Sequence, residues 1–129
     1  MQGIVTYLNF DGNCKEAMTF YGKCLGAELF LMPFEDVADR IMHARLSKGT
    51  TSLLMASDTM PGTPVTQGNN FWLSVHCESM QEIQQLFAAI GEGGKVTLPL
   101  QDTFWNAHFG MLVDRFGINW MFNYELPKK

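Results

Sequence analysis

One order of predicted secondary-structure elements occurs twice along the 129 residues, and this repeat constrains the fold more than any other feature of the sequence. Each half reads as a strand, a helix and three further strands. The helices begin at Asn13 and Ser79 and the hairpin glycines are Gly49 and Gly117, so the two pairs are separated by nearly equal stretches of chain. Few residues are identical between the halves, so the repeat is one of element order. Because one helix covers only one face of a four-stranded sheet, the other face must be buried elsewhere or line a cavity.

Hydrophobic periodicity predicts the elements of each half. The predicted strands are 4–10, 27–34, 41–47 and 51–57 in the first half and 71–77, 95–101, 106–113 and 118–124 in the second. Apolar residues at helical spacing predict one amphipathic helix in each half. Asn13 with Glu16, and Ser79 with Glu82, have the spacing of a capping box, and Gly26 is placed to end the first helix in a left-handed conformation.

The stretch 58–70 is the only Pro- and Gly-rich connection in the sequence and lies at its midpoint. This composition predicts a joint between two modules. A chain of this length buries one core without disulfides or a structural metal. We therefore expect a single domain over 1–129, with module 1 at about 1–58, a linker at about 59–69 and module 2 at about 70–129.

Charge and cysteine content exclude several classes of partner. The formal net charge is −4 and the cations are scattered, so no basic stripe is present and nucleic-acid binding is not expected. The sequence has no apolar run long enough to span a bilayer and its start lacks a signal-peptide pattern, so neither membrane insertion nor secretion is expected. The three cysteines have no CxxC spacing, which argues against a disulfide framework or a zinc knuckle. These features predict a cytoplasmic protein.

Strand alternation separates a polar and aromatic face from a core face. On the last strand, Met121 faces away from the core residue Trp120. On the third strand, His43 and Arg45 are expected with Ile41 on the less apolar face, opposite the side chains of residues 42, 44 and 46. Small-molecule pockets combine apolar and aromatic walls with a few polar groups. The side chains expected to bind a ligand are Tyr7, Asn9, His43, Arg45, Met55, Trp72, Ser74, Phe104, Trp105, His108 and Met121.

Individual candidates have more than one interpretation. Arg45 is the best anchor for an anionic ligand, and Asp114 is an alternative partner for its guanidinium within the protein. The apolar pair Phe104 and Trp105 suggests either a pocket rim or a subunit contact. His108 either faces a ligand at the mouth of the cavity or has a structural role, and His43 either binds a ligand or fills the wall through a hydrogen bond.

Several segments resemble the PhnB-like branch of the vicinal-oxygen-chelate superfamily, which includes glyoxalase I, extradiol dioxygenases and bleomycin resistance proteins. These segments are residues 7–14, 20–21, 41–46, 103–105 and 109–121. The resemblance implies an α+β fold of two β-α-β-β-β modules that form a curved mixed sheet around a cup, with helices on the outer face. It also implies a homodimer. The branch is often labelled a demethylubiquinone methyltransferase, but no glycine-rich strand-to-helix turn followed by an acidic residue is present.

The resemblance also provides a test for a metal, because the metal-dependent members place His, Glu or Gln on four strands facing the cup. In this sequence, these positions fall on residues 5 or 6, residues 54 or 55, Asn70 and Met121, so the whole quartet is absent. We expect no metal or other cofactor. Three hypotheses follow: a metal-free protein that binds a small molecule, an enzyme of the lyase or dioxygenase type that uses histidines or a recruited divalent metal, and an assembly module with a collapsed cup.

Overall fold

The chain is described by a computed structural model over residues 1–128, and its elements follow the predicted order. They are β1 (Tyr7–Phe10), α1 (Cys14–Leu25), β2 (Glu28–Pro33), β3 (Ile41–Lys48), β4 (Thr51–Asp58), β5 (Leu73–His76), α2 (Met80–Gly91), β6 (Lys95–Asp102), β7 (Ala107–Val113) and β8 (Asn119–Glu125). The α+β class and the doubled β-α-β-β-β order are confirmed. Strands β1 and β5 are shorter than predicted.

Two compact units make up the chain, residues 1–66 and residues 67–129. Each unit contains one mixed four-stranded sheet, ordered β1-β4-β3-β2 in the first and β5-β8-β7-β6 in the second. The first strand of each unit pairs in parallel with the last, and the other pairings are antiparallel. The enclosed cup and the single domain remain predictions. Neither of the two helices within residues 1–128 has the length and hydropathy that a membrane-spanning helix requires.

The core of the first unit lies between α1 and one face of its sheet. The helix contributes four residues with no exposed surface, Cys14, Ala17, Met18 and Tyr21. The sheet contributes small and branched apolar residues in register, including Ala44 opposite Ala56 and Leu46 opposite Leu54. Gly22 lets the helix approach closely, since a Cβ there would lie 3.3 Å from the Leu46 side chain. The other face of the sheet is not covered by α1.

The start of α1 is stabilised differently from the sequence prediction. Asn13 makes no side-chain cap, so the capping box predicted there is wrong. The buried carboxylate of Asp58 replaces it: Oδ1 accepts from the N–H groups of Gly12 at 2.8 Å and Cys14 at 3.0 Å. Its Oδ2 accepts from the N–H of Ile41 at 2.8 Å. Because this carboxylate is distant in sequence from the helix start, local spacing did not identify it. At the other end, Gly26 is left-handed with φ 62°, as predicted.

The second unit packs larger side chains between α2 and its sheet. Phe122 is fully buried, and its ring lies 5.4 Å from that of Phe87 on the helix. The close packing of the Phe87 ring against the sheet requires glycine at residue 110, because a Cβ there would be 2.8 Å from this ring. Trp120 donates its indole N–H to Asp114 Oδ2 at 2.8 Å. The predicted cap of α2 is confirmed, because the side chain of Ser79 accepts from the N–H of Glu82 at 3.0 Å.

A β-bulge in β3 changes the predicted alternation at the start of that strand. His43 pairs with Met32, but Ile41 pairs with the next residue, Pro33, and Met42 has no partner in this register. A bulge places two residues against one and reverses the side on which the following side chain lies. Ile41 is therefore buried with the core and Met42 is exposed. The prediction that Ile41 shares the face of His43 is wrong.

Candidate functional site

The candidate site begins with the sheet face of the first unit that α1 does not cover, here called the first open face. Residues opposite one another in a β-ladder lie on the same face. One row across the sheet is Tyr7, Met55, Arg45 and Phe30. The neighbouring row includes Asn9 opposite Ser57 at one edge and His43 opposite Met32 at the other. Five of the predicted ligand-binding residues, namely Tyr7, Asn9, His43, Arg45 and Met55, therefore lie on one surface.

Tyr7 and His43 form a hydrogen-bonded pair on the first open face. The Tyr7 hydroxyl lies 3.2 Å from His43 Nδ1, and the ring centroids are 5.8 Å apart. The tyrosine is 45% exposed and the histidine is half-buried. A hydroxyl and an imidazole in contact can exchange a proton with each other and with a molecule above them. This pair is the part of the site with acid and base chemistry.

Arg45 lies against an aromatic ring. Its guanidinium carbon is 5.6 Å from the centroid of the Phe30 ring, a cation–π geometry. Within residues 1–128 it makes no ion pair. Asp114, the alternative protein partner, instead accepts hydrogen bonds from Trp120 and from two backbone N–H groups of its own turn. In the part of the chain that the structure describes, the hydrogen-bonding edge of Arg45 therefore has no acid to neutralise it.

The second unit has an equivalent surface, here called the second open face. Its central row is Ser74, Met121, Met111 and Leu98. The next row is His76, Asn123, Phe109 and Gln101. Ser74 and His76 lie on the edge strand β5, where the Ser74 hydroxyl is 3.2 Å from His76 Nε2. Of the predicted residues, Ser74 and Met121 are opposite each other on this face, and Trp72 directly precedes β5 with its indole N–H bonded to the Asn69 carbonyl at 3.1 Å.

The register places His108 on the other face of the second sheet. His108 is opposite Tyr124 and Asp102, and it alternates with Phe109 on the open face. Its Nδ1 lies 2.8 Å from Asp102 Oδ1, and its side chain is 14% exposed. The side chain of His108 therefore lies on the face opposite to that of Ser74 and Met121, and its ligand-facing role at the mouth of the cavity stays a prediction.

Phe104 and Trp105 lie on a tight turn between β6 and β7. The turn is closed by the Thr103 N–H, which donates to the Ala107 carbonyl at 2.8 Å, and Asn106 adopts φ 63°. Phe104 is 97% exposed and Trp105 is 53% exposed. The Trp105 ring packs edge-on against Phe109 at 5.9 Å, which joins it to the second open face. A short hydrogen-bonded turn therefore presents two large apolar side chains.

Two cavities in the second unit involve none of the eleven predicted residues. The larger, about 480 Å³, is lined by Gln67, Gly68, Asn69, Val113, Gly117 and Asn119. The smaller, about 200 Å³, is lined by His76, Cys77, Asn123, Tyr124 and Glu125. In the larger cavity, the Asn119 amide donates to the Gly68 carbonyl at 2.8 Å and to the Phe71 carbonyl at 3.2 Å. The Asn119 amide therefore already makes hydrogen bonds that hold the segment before β5.

Two of the cysteines, Cys14 and Cys77, offer little nucleophilic chemistry. Burial raises the pKa of the Cys14 thiol to about 12, with a further contribution from the carboxylate of Asp58. Burial also raises the pKa of Cys77 to about 11, with a contribution from Glu82. Because the thiolate is the reactive form, both thiols are unreactive near neutral pH.

Comparison with known proteins identifies the family. Residues 3–122 match the model of the Glyoxalase/Bleomycin resistance protein/Dioxygenase superfamily, and the chain belongs to that superfamily. Protein YjdN of Escherichia coli K12 is 31% identical over 138 residues, with 91% of each chain covered. The structure of PA1353 from Pseudomonas aeruginosa is 44% identical, with a TM-score of 0.88 over 98% of this chain and 100% of that one. The PhnB protein from Bacillus cereus is 26% identical, with a TM-score of 0.82 over 95% and 99%. The chain is a member of the PhnB-like branch.

The metal positions of the superfamily do not fit a divalent cation in this chain. Residues 5 and 6 precede β1 and Asn70 precedes β5, so these positions lie outside the strands. Leu54 points into the core, and Met55 and Met121 supply thioethers to the open faces. Thioethers are soft ligands, whereas hard cations such as Mg²⁺ and Mn²⁺ take oxygen donors. In the described part of the chain, no three His, Cys, Asp or Glu side chains are grouped to hold a metal ion.

Several residues of the open faces were missed by the sequence analysis. Phe30 and Met32 border Arg45 and His43 on the first face, and Phe109 and Met111 occupy the second. The alternation of β2, in which residues 29 and 31 are apolar and face the core, was a signal for the first two. Finding them also required the pairing register between β2 and β3, which the sequence alone does not provide.

Proposed function

We propose that this protein binds a small organic anion with a flat apolar body on the first open face. Arg45 binds the anionic group, and the ring of Phe30 with the thioethers of Met32 and Met55 contacts the apolar body. The observation that carries the proposal is the guanidinium of Arg45 held over Phe30 with no acidic partner in residues 1–128. Arg is suited to such a ligand because its planar fork matches a carboxylate with two parallel hydrogen bonds.

Exposure of the apolar side chains supports the same proposal. Phe30 and Tyr7 are each 45% exposed, and Met32 is 40% exposed, although all three lie within strands of the sheet. Large apolar side chains beside a few polar groups are the usual lining of a small-molecule site. Methionine also adapts its shape to a ligand because its side chain is unbranched and polarisable.

The test uses benzoate as the probe and benzamide as its neutral counterpart. Titration of the isotopically labelled protein, followed through backbone amide signals, reports both affinity and location. We expect benzoate to shift signals of β2, β3 and β4. We expect Arg45→Met to weaken benzoate binding about 10- to 100-fold, because a charged hydrogen bond contributes roughly 1.5–3 kcal/mol.

Met111→Leu is the matched control, because Met111 occupies the row position of the second face that Arg45 occupies in the first. It should leave the affinity for benzoate unchanged. Benzamide should bind weakly to both the natural protein and the Arg45→Met variant. The proposal is rejected if benzoate produces no saturable shifts, or if Arg45→Met binds benzoate as tightly as the natural protein does.

We also propose that the protein is a cytoplasmic homodimer that uses no metal or other cofactor and binds neither nucleic acid nor membranes. The exposed turn with Phe104 and Trp105 supports a contact between copies, since such large apolar side chains are usually covered. Native mass spectrometry of the purified protein measures the subunit count and the mass of any bound metal ion or organic ligand. A monomer, or a stoichiometric divalent ion, would contradict the corresponding part of this proposal.

A further inference from the structure

The first open face carries a proton-transfer pair next to its anion-binding residue. Tyr7 and His43 are hydrogen-bonded at 3.2 Å, and Arg45 follows His43 by two positions on the same strand and face. We infer that Tyr7 and His43 catalyse the enolisation of a small α-oxo carboxylate whose carboxylate is bound by Arg45. This inference rests on the proposed function, since the acid must first bind.

The Tyr7–His43 contact suits this reaction in one tautomer of the imidazole. When His43 carries its proton on Nδ1, this N–H donates to the Tyr7 oxygen. The Nε2 lone pair of the imidazole is then free to accept a proton from carbon. The Tyr7 hydroxyl hydrogen is free at the same time to donate to the oxygen of the substrate. One pair therefore supplies both a base and an acid, which is the requirement for enolisation without a metal.

The position of Arg45 determines which part of an acid reaches the pair. Alternate positions on a strand have Cα atoms about 7 Å apart. In an α-oxo acid, the carbonyl carbon is bonded to the carboxyl carbon, and the carbon that bears the acidic hydrogen follows it. A carboxylate held by Arg45 can therefore place the carbonyl oxygen and the acidic C–H over the neighbouring row, where His43 lies opposite Met32.

The reaction is balanced without a further reactant. Nε2 of His43 removes the proton from the carbon next to the carbonyl, and the electron pair of that C–H bond forms the carbon–carbon double bond. The carbonyl oxygen takes the hydroxyl proton of Tyr7 and becomes the enol. Tyr7 recovers a proton from Nδ1 of His43, which leaves the imidazole as its other neutral tautomer. Exchange of these protons with water restores the starting state, and no oxidation or reduction occurs.

The second open face lacks this combination. Phe109 and Met111 occupy the positions of its rows that correspond to His43 and Arg45. His76 is present, but it lies on the edge strand beside Ser74 and has no arginine in its row or in the row of Ser74. His76→Gln is therefore a matched control, because it removes an imidazole from an equivalent exposed sheet face.

The test measures hydrogen exchange at the methylene carbon of phenylpyruvate in deuterated water by proton NMR. Phenylpyruvate combines a carboxylate, a neighbouring carbonyl, an acidic C–H and a flat ring. We expect the protein to accelerate the loss of the methylene signal over buffer. His43→Gln should slow the protein-catalysed exchange at least about 100-fold, which is a usual contribution of a general base. Tyr7→Phe should slow it about 10-fold, and His76→Gln should leave it unchanged.

Binding is measured separately by calorimetric titration of phenylpyruvate. If phenylpyruvate binds but exchanges at the buffer rate, the proton-transfer inference is wrong and the proposed function stands. If phenylpyruvate does not bind, the proton-transfer inference is wrong, and the benzoate titration alone decides the proposed function. Equal exchange rates in the natural protein and His43→Gln would also overturn the inference, as would an equal loss in His43→Gln and His76→Gln. A circular dichroism spectrum and an unfolding midpoint close to those of the natural protein confirm that each variant is folded.

Discussion

The two open faces have corresponding rows across three of their four strands, but the side chains in these rows differ in chemistry. Tyr7, Met55 and Arg45 form a row in the first unit, and Ser74, Met121 and Met111 form the corresponding row in the second. Both rows therefore have a methionine, Met55 or Met121, opposite the residue of the unit's first strand. The next residue in the row differs, however, because it is Arg45 on the first open face and Met111 on the second.

This difference shows that the fold determines which positions lie on an open face but not the chemistry of the side chains there. Both units use the same strand order and the same parallel pairing of first and last strands. The guanidinium of Arg45 and the imidazole of His43 lie on the inner strand β3 of the first sheet, whereas the imidazole of the second open face lies on the edge strand β5. Anion binding is therefore expected on the first open face and not on the second.

The two units also differ in how they stabilise the start of the helix. The first uses the distant buried carboxylate of Asp58, whereas the second uses the adjacent hydroxyl of Ser79. Tyr124 is the residue of β8 that corresponds to Asp58, since it follows Met121 as Asp58 follows Met55. A mutation at Asp58 should therefore affect long-range structure, and a mutation at Ser79 should affect only a local cap.

The largest effect on stability is expected at Asp58. Asp58→Ala leaves the N–H groups of Gly12, Cys14 and Ile41 without their carboxylate acceptor. Each buried N–H that loses its partner costs about 1–3 kcal/mol, so the free energy of unfolding should fall by about 3 kcal/mol or more. Urea unfolding followed by circular dichroism measures this loss. Asp58→Asn keeps one acceptor oxygen and should lose less. A loss below about 1 kcal/mol for Asp58→Ala would show that the carboxylate does not hold the helix start.

The general architecture was predictable because hydrophobic periodicity and turn residues are local signals. The helix cap at Ser79 and the left-handed Gly26 are confirmed, and both depend on residues within one turn of the helix end. The cap by Asp58 and the bulge at Met42 were not predicted. Each depends on which strands pair and in what register, and that information is non-local.

The candidate site was predictable where alternation along a single strand was sufficient. His43 and Arg45 share a face because they are alternate residues of one strand, and Met121 faces away from Trp120 because they are neighbours. The Tyr7–His43 hydrogen bond joins different strands, and the position of Phe30 beneath Arg45 depends on the pairing of β2 with β3. The face on which His108 lies depends in the same way on the pairing of β7 with β6 and β8.

A smaller effect is expected from the buried thiol at the start of α1. The pKa of Cys14 is about 12 in the folded chain, against an ordinary value of 9.0 that applies when the chain is unfolded. Between these values the unfolded chain binds fewer protons than the folded chain, so stability is complete below pH 9.0 and falls as the pH rises toward 12. The slope is up to about 1.4 kcal/mol per pH unit.

Comparison with Cys14→Ala isolates this thiol from the other groups that titrate at alkaline pH. Between pH 8 and pH 10, the natural protein should lose about 1 kcal/mol more of its unfolding free energy than Cys14→Ala loses. Urea unfolding at both pH values measures the two losses. If the natural protein and the variant show the same pH dependence, the thiol is not held in its neutral form by the fold.

The smallest effect is expected from the local caps, and it compares the two helix starts directly. Ser79→Ala removes the hydroxyl that accepts the Glu82 N–H and should lower the free energy of unfolding by about 1 kcal/mol. Asn13→Ala is the matched change in the first unit, and it should cost less than about 0.5 kcal/mol because Asn13 makes no side-chain cap. Urea unfolding of both variants measures the difference. Equal losses of unfolding free energy would mean that Asn13 stabilises its helix start as Ser79 does. A loss for Ser79→Ala alone supports the difference between the units, because the second then caps its helix with a local hydroxyl and the first with the distant carboxylate of Asp58.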